Sequence, residues 1–202
     1  MTAAAKRRAT YQDVLDAPEN MVAEILDGEL SLMPRPGGPH ALAEGELKVL
    51  LRPFHRQGGG GGGEPGGWII LPEPEIHLEP ADPSGRIVVP DLAGWRRSRM
   101  PKVSRAAFFA LVPDWVCEIL SPKTAKKDRA LKMPLYAEFG VRHVWLLDPL
   151  ARTLEIYRLA ELGAWRLVGT FEDDAVVRAE PFEAIELALA DLWADVEEGD
   201  DD

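Results

Sequence analysis

A chain of 202 residues, 46% hydrophobic and 28% charged, has the length and balance of one globular domain around a single core. Its apolar runs fall short of the ~18 residues a spanning helix needs, and its single cysteine, Cys117, excludes an internal disulfide and a cysteine-rich zinc site. A formal charge of −11 argues against a protein that coats nucleic acid through overall charge, because backbone binding is driven by clustered Lys and Arg.

The N-terminus MTAAAKRRATYQD is basic but lacks a following apolar stretch, so no export signal is read and a cytoplasmic location is expected. Thr10 can cap a short helix to Asp16, stopped by Pro18. VAEILDGELSLM places apolar residues on both sides of Asp27-Gly28, a dipeptide suited to positive φ, and predicts an N-terminal β-hairpin. From His40 to Gln57, Leu42, Leu47, Leu50, Leu51 and Phe54 form one helical stripe, shortened by Pro53. The run Gly58 to Gly63 predicts a mobile loop; it is not a phosphate-binding loop, because the Lys-Ser/Thr of that motif is missing.

Trp68 to Leu71, Glu75 to Leu78 and Ile87 to Val89 read as strands between proline-rich turns. Trp115 to Leu120, WVCEIL, is an apolar run broken by one acid, the pattern of a buried strand. Thr124 to Gly140 predicts a helix containing Pro134, followed by strands at Val144 to Leu147, Leu154 to Leu159 and Trp165 to Thr170. Ala184 to Val196 predicts a last amphipathic helix. The expected organisation is one domain over 1–196 with an acidic, disordered tail over 197–202.

Charge is unevenly distributed along the chain. From Leu92 to Lys132, ten basic residues face three acidic ones, a local +7 that leaves −18 elsewhere. Either this is a basic binding face on a repelling body or a set of solvated surfaces.

Two acids stand where acids need a reason. Glu118 interrupts the WVCEIL strand, and a buried carboxylate must be paired, protonated or bound to a cation. Asp91 follows IVVP directly, where a β run opens into AGW. Hard oxygen ligands at strand ends suit Mg²⁺, or Mn²⁺ in its place, which needs only one or two protein carboxylates. A nearby lysine would stabilise the anionic transition state of phosphodiester hydrolysis, and Lys132 is the candidate. Asp128, Lys132 and Tyr136 lie four apart, one face of a helix that continues through Pro134; the alternative is a helix that breaks at Lys132 and restarts after it. Cys117, next to Glu118, should turn to the opposite face. Asp148 before Pro149 reads as a turn former, and Trp95, beside Arg96 and Arg97, as a packing residue or a platform for a base.

These residues resemble the Uma-two endonuclease-like family, a branch of the PD-(D/E)XK nuclease superfamily. The likeness runs from about Val22 to about Leu159 and is carried by AEILDGELSLMPRPGGPH, VVPDLAGW and PDWVCEILSPKTAKKDRALKMPLYAEFGVRHVWLLDP. It implies an α/β, restriction-endonuclease-like core with a central mixed β-sheet flanked by helices, divalent-metal dependence and hydrolysis of nucleic acid, DNA in the first instance. By this likeness Asp91 and Glu118 would be metal ligands. Glu24 and His40 also match family positions, and Glu24 would be a further acid on the metal side, with Glu46 as its rival. The superfamily's lysine sits two residues after the second acid, which here is Leu120; either Lys132 supplies the amine from the neighbouring helix or the site is incomplete. A catalytically inactive protein of the same fold, binding nucleic acid or a protein partner, is the other reading. A homodimer would suit cutting of two strands.

Overall fold

The computed structural model describes residues 7–55 and 64–197. The glycine run Gly58–Gly63, expected to be a loop, and residues 198–202 of the expected tail lie outside them.

A short helix α1 (Tyr11–Leu15) opens the chain, with the Asp13 carboxylate accepting the Thr10 backbone N–H at 2.7 Å. The Asp27-Gly28 turn behaves as expected: both residues have positive φ, 49° and 75°, and they join β1 (Met21–Leu26) to β2 (Glu29–Pro34) with Leu26 opposite Glu29. Helix α2 (Gly38–Leu50) follows, starting earlier and ending sooner than expected; Arg52–His55 is a 3-10 turn around Pro53. Its Ala43 and Leu47 are buried.

Next come β3 (Trp68–Pro72), β4 (Ile76–His77), β5 (Ile87–Val88), β6 (Leu92–Arg96) and β7 (Trp115–Ile119). A strand at Leu92–Arg96 was not expected, and its LAGWR pattern is short and interrupted by Gly94. It forms because it fills the space between β3 and β7, pairing antiparallel with both. Gly94 has a packing reason: a Cβ there would sit 3.1 Å from the Trp115 ring and 3.3 Å from the Trp68 ring.

The helical segment consists of α3 (Ala125–Lys127), a π-turn (Asp128–Lys132) and α4 (Met133–Glu138). It connects β7 to β8 (His143–Asp148), the one parallel pair in the sheet, which needs such a crossover. Antiparallel β9 (Thr153–Leu159) and β10 (Trp165–Glu172) complete a six-stranded mixed sheet of order β10-β9-β8-β7-β6-β3. A second, four-stranded sheet has the order β2-β1-β5-β4.

The expected helix over Ala184 to Val196 does not form. Val176–Val177 (β11) pairs with Leu187–Ala188 (β12), and only Leu189–Leu192 coils, as a 3-10 turn. Leu187, Leu189, Leu192 and Trp193 are all buried in one core with α2, so contact with that core overrides the helical spacing.

Strand alternation divides the core. Trp115, Cys117 and Ile119 of β7 face one cluster with α2 and the C-terminal segment, whereas Val116 and Leu120 face the other with Leu135 and Tyr136. Phe182 stands at the centre of the first cluster, its ring 5.0 Å from Trp68 and Trp115 and 5.6 Å from Trp145. No described helix is long and apolar enough to cross a membrane.

His143 opens β8 almost wholly buried, with its Nδ1 lacking a hydrogen-bond partner. Burial lowers its pKa to about 4; Glu180 opposes from 3.7 Å, while Arg96, Arg158 and Arg142 add to the fall. The folded protein thus binds this proton more weakly than the unfolded chain. Stability is expected to fall by about 3 kcal/mol from this group as pH drops from 6.5 to 4. Urea unfolding of wild type and His143→Leu at pH 7.5, 6 and 5 checks this: the wild type should lose more, and parallel curves would refute it.

Candidate active site

Asp91 and Glu118 come together because β6 and β7 are adjacent. Leu92 pairs with Cys117, so Asp91, one residue before β6, reaches the C-terminal end of β7, where its Oδ2 accepts the Ile119 N–H at 2.6 Å. Its Oδ1 lies 3.1 Å from His40 Nε2 in the first turn of α2. The Asp91 side chain keeps 19% of its surface exposed, against 4% for Glu118, so Asp91 is the acid nearer to solvent and Glu118 the buried one.

Glu118 points away from Cys117, into the face covered by the crossover helix. Lys132 Nζ lies 2.7 Å from its carboxylate, and the Tyr136 hydroxyl donates to it. Lys132 also lies 3.1 Å from Glu24 Oε1, and Glu24 is fully buried. That oxygen also accepts the Val89 N–H at 3.0 Å, while Lys127 Nζ approaches Oε2 at 3.2 Å. Glu24, Asp91, Glu118 and Lys132 therefore occupy one locale, with His40 linked to it through Asp91.

The charges explain the protonation tendencies. Burial raises the Glu118 carboxyl well above the usual range; Lys132 opposes this, and the neighbouring Asp128, Asp91 and Glu24 charges reinforce it. Burial would likewise raise Glu24, but Lys132 and Lys127 outweigh it and hold that carboxylate below its ordinary value. For Lys132, burial favours the neutral amine, yet Glu118 and Glu24 keep it a cation. His40 loses hydration, but its hydrogen bond and attraction to Asp91 leave its pKa raised.

Sequence reasoning missed Glu44. It is one turn after His40 on α2, and its carboxyl is raised by burial and by Asp91 and Glu73. The signal for Glu44 was its four-residue spacing from His40. Trp95 is fully buried, with its indole N–H bonded to the Leu111 carbonyl at 2.7 Å, so it is a packing residue and offers no ring to a base. Asp148 is a turn former: its Oδ1 accepts the Leu150 and Ala151 N–H groups at 3.1 and 2.9 Å.

The basic stretch is partly consumed internally. Arg99 pairs with Asp114 at 2.9 Å, Arg129 with Glu155, and Lys127 and Lys132 with the buried acids, while Arg96 lies over Trp68. Lys102, Arg105, Lys123 and Lys126 are exposed.

Among the described residues, no group of three or more His, Cys, Asp or Glu side chains is arranged to hold a metal ion. Asp91 and Glu118 offer carboxylate oxygens, the hard donors that Mg²⁺ takes, and those oxygens meet the Ile119 N–H, His40, Lys132 and Tyr136. The crowding of carboxylates around Glu118 is the kind of excess negative charge a divalent cation offsets.

A six-stranded mixed sheet carrying these acids at adjoining strand ends defines an α/β protein of restriction-endonuclease-like fold. A family described as "Uma2: Putative restriction endonuclease" matches residues 9–190, and the chain belongs to this family. A crystal structure of a "putative nuclease belonging to DUF820" from Anabaena variabilis ATCC 29413 is similar at 23% sequence identity and a TM-score of 0.71, covering 92% of this chain and 98% of that one. No curated protein matches the chain.

Proposed function

We propose that the protein is an Mg²⁺-dependent endonuclease that hydrolyses phosphodiester bonds of DNA, with Asp91 and Glu118 as the residues that would hold the ion. The observation that supports this most is the meeting of Asp91 and Glu118 at adjoining strand ends beside the Lys132 cation, in a chain of nuclease family and fold. A bound divalent ion would lower the pKa of a water and polarise the phosphoryl oxygens. In this reading Lys132 keeps its proton and supplies positive charge at the inner wall, replacing the lysine that the buried Leu120 cannot provide. His40 orients the Asp91 carboxylate through their hydrogen bond, and Glu24 holds Lys132 in place. Exposed Lys123 and Lys126, in the segment leading into the crossover helix, are positioned to meet a phosphate backbone.

One observation favours a second reading. Lys132 and Tyr136 already engage Glu118, and position 120 holds leucine, as suits a protein of this fold that binds nucleic acid or a protein partner without cutting. Incubation of purified protein with supercoiled plasmid and labelled duplex separates the two. Cleavage with Mg²⁺ or Mn²⁺, abolished by EDTA, is expected. A salt-sensitive gel shift with no product under either metal would discard the enzyme reading. Sedimentation of the same sample reports whether it acts as a dimer.

A further inference from the structure

The crossover helix is not a continuous α-helix. The Met133 N–H returns to the Asp128 carbonyl, an i→i+5 bond that closes a π-turn. In an α-helix, residues five apart lie about 140° apart around the axis, whereas the wider turn brings such a pair nearly into line. The pair aligned here is Lys127 and Lys132, and both reach one carboxylate: Lys127 at 3.2 Å from Glu24 Oε2 and Lys132 at 3.1 Å from Oε1.

Glu24 joins three parts of the molecule. It belongs to β1, it takes the Val89 N–H two residues before Asp91, and it receives both lysines of the helix. Lys127 continues across the hairpin to Ser31 Oγ at 3.4 Å and to Met33 Sδ, and Ser31 is the register partner of Glu24. With one ammonium between two buried acids, Lys132 would be drawn toward both. A second cation on the far oxygen of Glu24 satisfies that side and leaves Lys132 directed at Glu118, 2.7 Å away.

We propose that Lys127 is a positioning residue: brought into line with Lys132 by the π-turn, it neutralises the outer oxygen of Glu24 and thereby sets the Lys132 ammonium against Glu118. The geometric half rests on these contacts alone, and the consequence for catalysis rests on the nuclease reading.

The test is a comparison of wild type with Lys127→Met, Lys127→Gln and Lys127→Arg. The primary readout is the ¹H–¹⁵N resonance of the Lys132 ammonium, which burial should protect from exchange. Its resonance should shift and lose protection in Lys127→Met, move less in Lys127→Gln, which keeps a hydrogen-bond donor, and return in Lys127→Arg. Should Lys127→Met fail to fold, the Gln and Arg variants carry the comparison. An unchanged Lys132 resonance in the folded uncharged variants overturns the inference, whatever the activity. In cleavage assays, Lys127→Met should lower kcat about tenfold at unchanged KM, with Lys127→Arg restoring it. An unaltered kcat beside a shifted resonance overturns the catalytic half. Absence of cleavage by the wild type refutes the nuclease reading and leaves the resonance to decide the geometric half.

Discussion

Replacing Asp91 by Asn is expected to lower metal-dependent cleavage roughly a thousandfold, equivalent to several kcal/mol of transition-state stabilisation, while the protein stays folded. The amide can keep its oxygen toward the Ile119 N–H, now 2.6 Å from Oδ2, so the link between the strand ends survives. Its nitrogen would face His40 Nε2, which can accept from it once the ring is neutral. What disappears is the negative charge of the more exposed acid of the pair, the property that a cation ligand needs. Thermal melting should differ little from wild type, because Asp91 is partly exposed and its fixed contacts persist. Binding of Mn²⁺, followed by paramagnetic resonance, should weaken in parallel with activity. Wild-type cleavage by the purified variant would remove Asp91 from the site.

Lys132→Met should cost about 3–5 kcal/mol of stability at neutral pH, because removing one partner leaves buried charges uncompensated. Two acids lose the same ammonium: Glu118 at 2.7 Å and Glu24 at 3.1 Å. Without it, both carboxyls would bind protons more readily in the folded protein than in the unfolded chain. The sign follows: the variant's deficit is largest at high pH and shrinks as acid neutralises the two groups. Urea unfolding between pH 5 and 8 measures the trend. A second change, Glu24→Gln, should recover part of the loss, a non-additivity that two independent sites would not show. A deficit under 1 kcal/mol, or one that grows in acid, would contradict the assignment of Lys132 as the shared cation.

Features set by neighbouring residues were legible in the chain. Asp27-Gly28 demands positive φ at both positions, and a hairpin follows. WVCEIL is apolar enough to be buried and carries one acid, so alternation sends Cys117 to one core and Glu118 to the other face. The spacing of Lys132 and Tyr136 put both on the side that meets Glu118. LAGWR was harder to read, because its strand character comes from pairing on both sides more than from its own pattern.

Other features had no local signature. Glu44 and Glu46 both fit α2, and the phase that buries Ala43 and Leu47 turns Glu44 and His40 toward Asp91. The acid that Lys127 and Lys132 share, Glu24, lies more than a hundred positions away in the chain, so no local pattern names it. The C-terminal apolar residues suit a helix by spacing, yet the β11–β12 bridge and the core beneath α2 hold most of them otherwise. By itself, then, the sequence determined the hairpin, the acid-bearing strand, the crossover and the family. Only the tertiary structure decided which carboxylates share a cation and which helix phase faces the site. Turn conformation and alternation follow from bonds a few residues long, whereas the partner of a buried charge depends on surfaces that meet only after folding.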